Sequence, residues 1–301
     1  MRIKKLLVPV DFSPPSILAV NHGIALARKF RATLSLLHVV ESPSALLYTF
    51  PGGADRVEAQ RKDQAEKMLP LLVSDENRDL DVKFIVRAGD VKDVIHAVVG
   101  EEQADVVVMG THGRGFFSRL FIGSVTQALL RQLGVPVLTV CHVSRPLEFK
   151  RILFATDFGP DSNRGFEDAL GLAAESGASL TVAHTMDKRP TMAYETPEVH
   201  ELFDEQRAEA LKEAHQKFAE FKAEATRREM TIECIMAEGE VAETLVRIAD
   251  EIEADFIILG LRKMGAMARA ILGTAAEPVI RAAHVPVLSV PIDSNVAASA
   301  A

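Results

Sequence analysis

The chain repeats itself. Leu6-Leu7-Val8-Pro9-Val10-Asp11-Phe12 returns 146 residues later as Ile152-Leu153-Phe154-Ala155-Thr156-Asp157-Phe158, and His38 returns at the same offset as His184. Farther on, the offset is 150: Gly89 pairs with Gly239, Gly110 with Gly260, Gly123 with Gly273 and Pro136 with Pro286. The second copy thus carries a net four extra residues between its second strand and Gly239. A period this long exceeds a solenoid repeat and suits one globular domain per copy. With 301 residues, two domains are expected, over 1–143 and 150–293, with a short linker between and a tail after Asp293.

Each copy alternates strands and helices. In copy one an apolar strand, Lys4–Val10, precedes a helix opened by Ser13-Pro14-Pro15, a capping serine with proline in the first turn. Spacing by three and four assigns Ile17, Val20, Ile24 and Ala27 to its buried face. Strand Thr33–Val39, a polar helix from about Asp55 to Ser74, strand Asp81–Arg87, helix Val91–Glu101 and strand Val106–Met109 follow. Helix Val125–Leu133 and strand Pro136–Val140 complete the copy, with Gly134 expected in the left-handed conformation that ends a helix, like Gly177 in copy two. The fold class is α/β: two tandem flavodoxin-like domains. Each is a five-stranded parallel sheet of order 3-2-1-4-5 with helices on both faces. Ligands bind such sheets beyond the carboxyl ends of the strands, where strands 1 and 4 part. Asp11 follows strand 1 and Gly110 follows strand 4, so both are expected at that crevice.

The loop after strand 4 carries a glycine pattern. Gly110-Thr111-His112-Gly113 is followed by Gly123-Ser124-Val125 at the start of a helix. Glycines let backbone N–H groups approach phosphate oxygens without an intervening Cβ, and a helix N-terminus favours an anion. The spacing is neither the Walker arrangement nor the dinucleotide fingerprint. It is a third arrangement, and it points to a nucleotide.

Composition narrows the rest. Cys141 and Cys234 lie at unmatched positions, with no disulfide framework and no metal-ligand spacing, so no metal site and a cytoplasmic location are expected. No charged-then-apolar stretch precedes the first strand and no run approaches 18 apolar residues, so neither secretion nor a membrane partner is expected. A net charge of -8, 6% aromatic residues and no Trp argue against nucleic acid. The charge is uneven: 18 basic against 15 acidic residues before position 146, and 16 against 27 from there on. Copy two is the poorer electrostatic host for a polyanion. Its long helix, roughly Pro197–Glu229, reads as a solvated face or as an acidic partner surface.

Gly110-x2-Gly113-x9-Gly123-Ser124, the aspartate after strand 1 and the closing Gly134-Val135-Pro136-Val137 resemble the universal stress protein family, in its tandem two-domain form. The likeness covers nearly the whole chain. It implies a stress-response regulator that binds ATP, with Mg²⁺, or belongs to a branch that lacks the motif and binds none. It implies that Asp11 and main-chain groups at Val39 hold adenine. Gly110, Gly113, Gly123, Ser124 and Val125 would hold ribose and phosphates; apart from the resemblance, Arg114 in the loop reads as a better phosphate counter-charge than His112 beside it. In copy two the matching positions are Asp157, Gly260, Gly273 and Thr274, but Lys263 replaces the second glycine. Its side chain either blocks the backbone's approach to phosphate or offers an ammonium. The family also dimerises through its last strand, which implies a homodimer or an intrachain pseudo-dimer through Pro136–Val140 and Pro286–Val290.

Each feature has a plainer reading beside it. Asp11 closes a turn with Ser13, Gly110 and Gly123 serve tight packing, and Ser124 caps a helix. His38 and His184 read as hydrogen-bonded core-edge residues rather than catalytic bases. No catalytic constellation is visible, so the chain is expected not to be an enzyme, slow ATP hydrolysis aside. The alternative function is an interaction scaffold of the same fold, independent of nucleotide and with an unidentified protein partner.

Overall fold

Leu6, Leu7 and Val8 are all fully buried. A strand buried on both faces requires helices on both sides of its sheet, and this chain supplies them. The computed structural model describes residues 1–41, 53–111, 122–141, 147–159, 162–186, 197–262 and 276–292.

Copy one runs β1 (Lys5–Pro9), α1 (Pro14–Phe30), β2 (Thr33–Val40), α2 (Gly53–Met68), β3 (Val82–Ala88), α3 (Val91–Glu102), β4 (Val106–Gly110), α4 (Ser124–Gln132) and β5 (Val137–Val140). Copy two runs β6 (Arg151–Ala155), α5 (Ser162–Ser176), β7 (Ser179–Met186), α6 (Pro197–Arg227), β8 (Ile232–Glu238), α7 (Val241–Glu251), β9 (Phe256–Arg262), α8 (Ala276–Ala282) and β10 (Val287–Ile292). The strands form one ten-stranded sheet of order β3-β2-β1-β4-β5-β10-β9-β6-β7-β8. Each half has the expected 3-2-1-4-5 order, parallel throughout. The two halves join where β5 and β10 pair antiparallel, in the register Thr139↔Val287, Leu138↔Leu288 and Val137↔Ser289.

Side chains alternate between two apolar layers. Leu6, Val8, Leu34, Leu36, Ile152 and Phe154 pack against α1, α2, α5 and α6. Leu7, Leu37, Val107, Leu153 and Ile257 pack against α3, α4, α7 and α8. Both layers run across the seam without a break. The linker enters one of them: the Phe149 ring, 4% exposed, stands edge-on to Phe30 of copy one at 5.4 Å and to Phe256 of copy two at 5.9 Å. The thiol of Cys141 donates to the Ala283 carbonyl at 3.2 Å, and the Thr139 hydroxyl donates to the Val287 carbonyl at 3.1 Å. Helix α6 lays Phe218 and Phe221 against Phe158, and Phe221 stacks on Phe166 at 4.1 Å. Much of its charge pairs along its own exposed side, as in Lys217–Glu220 and Arg227–Glu224. Among the described residues no helix is long and apolar enough to cross a membrane.

Two expectations need correction. Ile17 is 38% exposed; the buried stripe of α1 is Ala19, Val20, Gly23, Leu26, Ala27 and Phe30. Helix α4 ends on Leu133 in extended conformation, and Gly134 does not take a positive φ. Left-handed caps occur elsewhere, at Gln103 after α3 and at the end of each copy's first helix, where Gly177 has φ 71° and its counterpart Arg31 has φ 51°. A side chain in that conformation is disfavoured, and glycine is not. Arg31→Gly is therefore expected to raise stability by up to about 1 kcal/mol in urea unfolding. Phe149→Ala is expected to cost about 3–5 kcal/mol in the same measurement, because it hollows a core that both copies share.

Candidate functional site

The crevice opens where the chain leaves β1 and β4. Val10 extends the β1 ladder by donating to the Leu37 carbonyl at 2.7 Å, and Asp11 then turns the chain into α1. The Asp11 Oδ1 accepts from the Ser13 amide at 3.0 Å and from the Ser13 hydroxyl at 2.5 Å. Ser13 in turn caps α1, accepting from the Ser16 amide. Between them Phe12 is held at φ 62°, with its ring centroid 4.7 Å from that of His38. His38 Nδ1 lies 2.7 Å from the Val10 carbonyl, which can only accept, so Nδ1 carries the proton.

Copy two builds the same corner. Asp157 accepts from the Gly159 amide at 2.8 Å, Phe158 sits at φ 54° on His184, and His184 Nδ1 donates to the Thr156 carbonyl at 2.8 Å. The two histidines are ties between strands 1 and 2, as the plainer reading had it. The left-handed phenylalanines were missed, although the repeated Asp-Phe pair was the available signal.

Val39 faces the crevice through its main chain. Leu37 accepts from β1, whereas Val40 accepts from Gly89 beyond β3. Alternate residues of β2 thus address opposite neighbours, and Val39 turns its N–H and C=O towards β1. The last registered pair there is Pro9↔Leu37, so these groups lie past the end of the ladder, beside Asp11.

Gly110 ends β4 in close contact with the start of α1. A Cβ on it would lie 2.8 Å from the Pro15 Cβ and 2.9 Å from the Pro15 backbone. Its carbonyl accepts from the Thr126 hydroxyl at 3.0 Å. The Gly123 amide donates to the Thr111 carbonyl at 2.7 Å, so both ends of the intervening loop are pinned together. Gly123 is also the N-cap of α4, and no side-chain bond caps that helix end. Ser124 is the exposed first residue of the helix and Val125 the half-buried second. A helix end without a side-chain cap, presented beside a glycine backbone, can take an anion. Gly113 and Arg114 lie outside the described residues, as does His112.

Copy two differs at the equivalent point. Gly260 does not end its strand: β9 continues through Leu261 and Arg262, paired with Pro291 and Ile292. The position of Thr126 is occupied by Ala276, so the hydroxyl that ties the first glycine has no counterpart. Lys263, Gly273 and Thr274 lie outside the described residues. Among the described residues no group of three His, Cys, Asp or Glu is placed to hold a metal ion.

The fold and the crevice define a class: an α/β protein made of two tandem flavodoxin-like units sharing one sheet. The comparisons refine it. The model of the "Universal stress protein family" matches residues 2–140 and 148–291. The chain is 32% identical over 141 residues to Universal stress protein G of Escherichia coli O157:H7, covering 46% of this chain and 98% of that protein. It is 27% identical over 192 residues to a universal stress protein of Mycobacterium bovis, covering 62% of this chain and 61% of that one. The crystal structure of a universal stress protein from Archaeoglobus fulgidus superposes with a TM-score of 0.73 at 21% identity, covering 97% of this chain and 99% of that chain. The chain belongs to the universal stress protein family, as two tandem copies.

The bonds at Asp11 separate its possible roles. Turn closure needs an acceptor, not a charge. Asp11→Ala is expected to lower stability by about 1 kcal/mol, and Asp11→Asn by less than half of that, in thermal unfolding followed by circular dichroism.

Proposed function

We propose that this chain is a nucleotide-dependent regulator of the stress response, which holds ATP in copy one and uses copy two as a supporting unit. The observation that carries this reading is the end of β4 in copy one. Gly110, Gly123 and the uncapped start of α4 are pinned together there, beside Asp11 and the outward main chain of Val39. Gly110, Gly113, Gly123 and the Ser124 and Val125 amides would receive phosphates and ribose, with Arg114 as counter-charge. Asp11 and the Val39 backbone would receive adenine. Bound ATP supplies a polyanion whose presence or absence alters the loop; the chain's part is to bind and orient it. Asp11 is taken up by adenine and by Ser13, and the stretch from Gly110 to Val125 contains no Asp or Glu that would hold Mg²⁺, which favours a switch over a catalyst. The reading includes a cytoplasmic location and action as a single chain, since β5 already has a neighbour on each side in β4 and β10.

A scaffold independent of nucleotide is the second reading. It is favoured by the Pro15 contact and the Ser13 bonds, which give Gly110 and Asp11 structural duties of their own. The nucleotide content of the purified protein separates the two. After denaturation, ion-exchange chromatography of the supernatant is expected to yield about one adenine nucleotide per chain, and Gly113→Lys is expected to abolish it. Protein that arrives empty and takes up no added ATP with Mg²⁺ would establish the scaffold. Two nucleotides per chain would mean that Lys263 is tolerated.

A further inference from the structure

Gln127 and Glu277 occupy the same position in the two copies, 150 residues apart, and they meet across the seam. Gln127 Nε2 donates to Glu277 Oε2 at 3.0 Å in a part-buried contact. In a symmetric pairing each would face its own kind. Two glutamates would repel, whereas this chain sets a neutral amide against a carboxylate.

The contact lands on the candidate site. Gln127 belongs to the first turn of α4, and its backbone N–H donates to the Gly123 carbonyl at 2.9 Å. Its neighbour Thr126 holds the Gly110 carbonyl. Glu277 therefore reaches from copy two to the turn that carries Gly123 and Ser124. Arg281, one turn farther along α8, lines the groove between α7 and α8 with Glu243 and Asp250.

We propose that Glu277 sets the phosphate affinity of the copy-one site, so that the second copy contributes an opposing charge to the first. The inference rests on the nucleotide reading above. Ser124 and Gln127 are three residues apart, about 4.5 Å along the helix axis. A carboxylate hydrogen-bonded to a side chain of the first turn of α4 offsets part of the attraction of that helix end for an anion. The effect scales with ligand charge, is insensitive to the base and is screened by salt.

The test is calorimetric titration of the full chain and of Glu277→Gln with ATP and with adenosine. Glu277→Gln keeps the shape and a hydrogen-bonding group while removing the charge. It is expected to tighten ATP by about three- to tenfold at low salt. Adenosine affinity is expected to stay unchanged, and the ATP difference to shrink by about 0.5 M salt. Glu277→Lys is expected to tighten ATP further, giving an order that follows charge. ATP bound equally by all three chains would overturn the inference and leave the nucleotide site standing. ATP bound by none would overturn both. Tightening found only at a newly filled second site would also overturn it, because the charge would then act within its own copy.

Discussion

The pairing of β5 with β10 is the contact on which this architecture rests. It registers only three residue pairs, with Leu138 and Leu288 facing each other at its centre, each 3% exposed. Unpaired, both strands would present apolar edges of the kind that recruit other chains. Paired, they turn two five-stranded sheets into one and make both apolar layers continuous. The unpaired edges move outward to β3 and β8, which carry Lys83 and Arg87 on one side and Glu233 and Glu238 on the other. Charge on an outer strand discourages further addition. Those charges also have local partners: Lys83 pairs with Glu102, and Glu238 with Arg207 of α6.

The candidate site reuses atoms that the fold already needs. Asp11 closes the turn into α1, and Gly110 lets β4 approach Pro15. Thr126 and Gly123 tie the two ends of the loop to each other. A corner built this firmly gives a ligand fixed groups to meet, which lowers the ordering cost of binding. Copy two keeps the corner around Asp157, Phe158 and His184 but changes the loop side, where β9 runs on past Gly260.

Much of this was legible in the sequence because the repeat doubled every signal. Strand order followed from alternating elements, the Asp11–Ser13 turn stood as one of two open readings, and the histidine ties were the plainer choice for His38 and His184. What escaped depends on neighbours distant in sequence. Ile17 shares the helical spacing of the buried face, yet it points outward because α1 meets the sheet through Ala19, Gly23 and Ala27. Gly134 looks like a helix cap, but α4 leaves through an extended Leu133 and needs no left-handed residue. Phe149 sits in a linker, where nothing local announces that its ring will join Phe30 to Phe256.

The covalent join between the copies has a consequence for how such a seam can change. Separate subunits meeting through three residue pairs must overcome the loss of translational and rotational freedom, whereas tethered ones meet at a high effective concentration. The tether also removes a constraint of heredity. In a homodimer every substitution is made twice, once on each side of the axis, so a residue there must suit its own image. Here Gln127 faces its own counterpart Glu277, a pairing of unlike residues that no symmetric dimer of one sequence can place on its axis. A tethered pair gives each half a different neighbour to adapt to, and the Gln127–Glu277 contact bears the mark of that freedom, while Leu138 still meets its own image in Leu288.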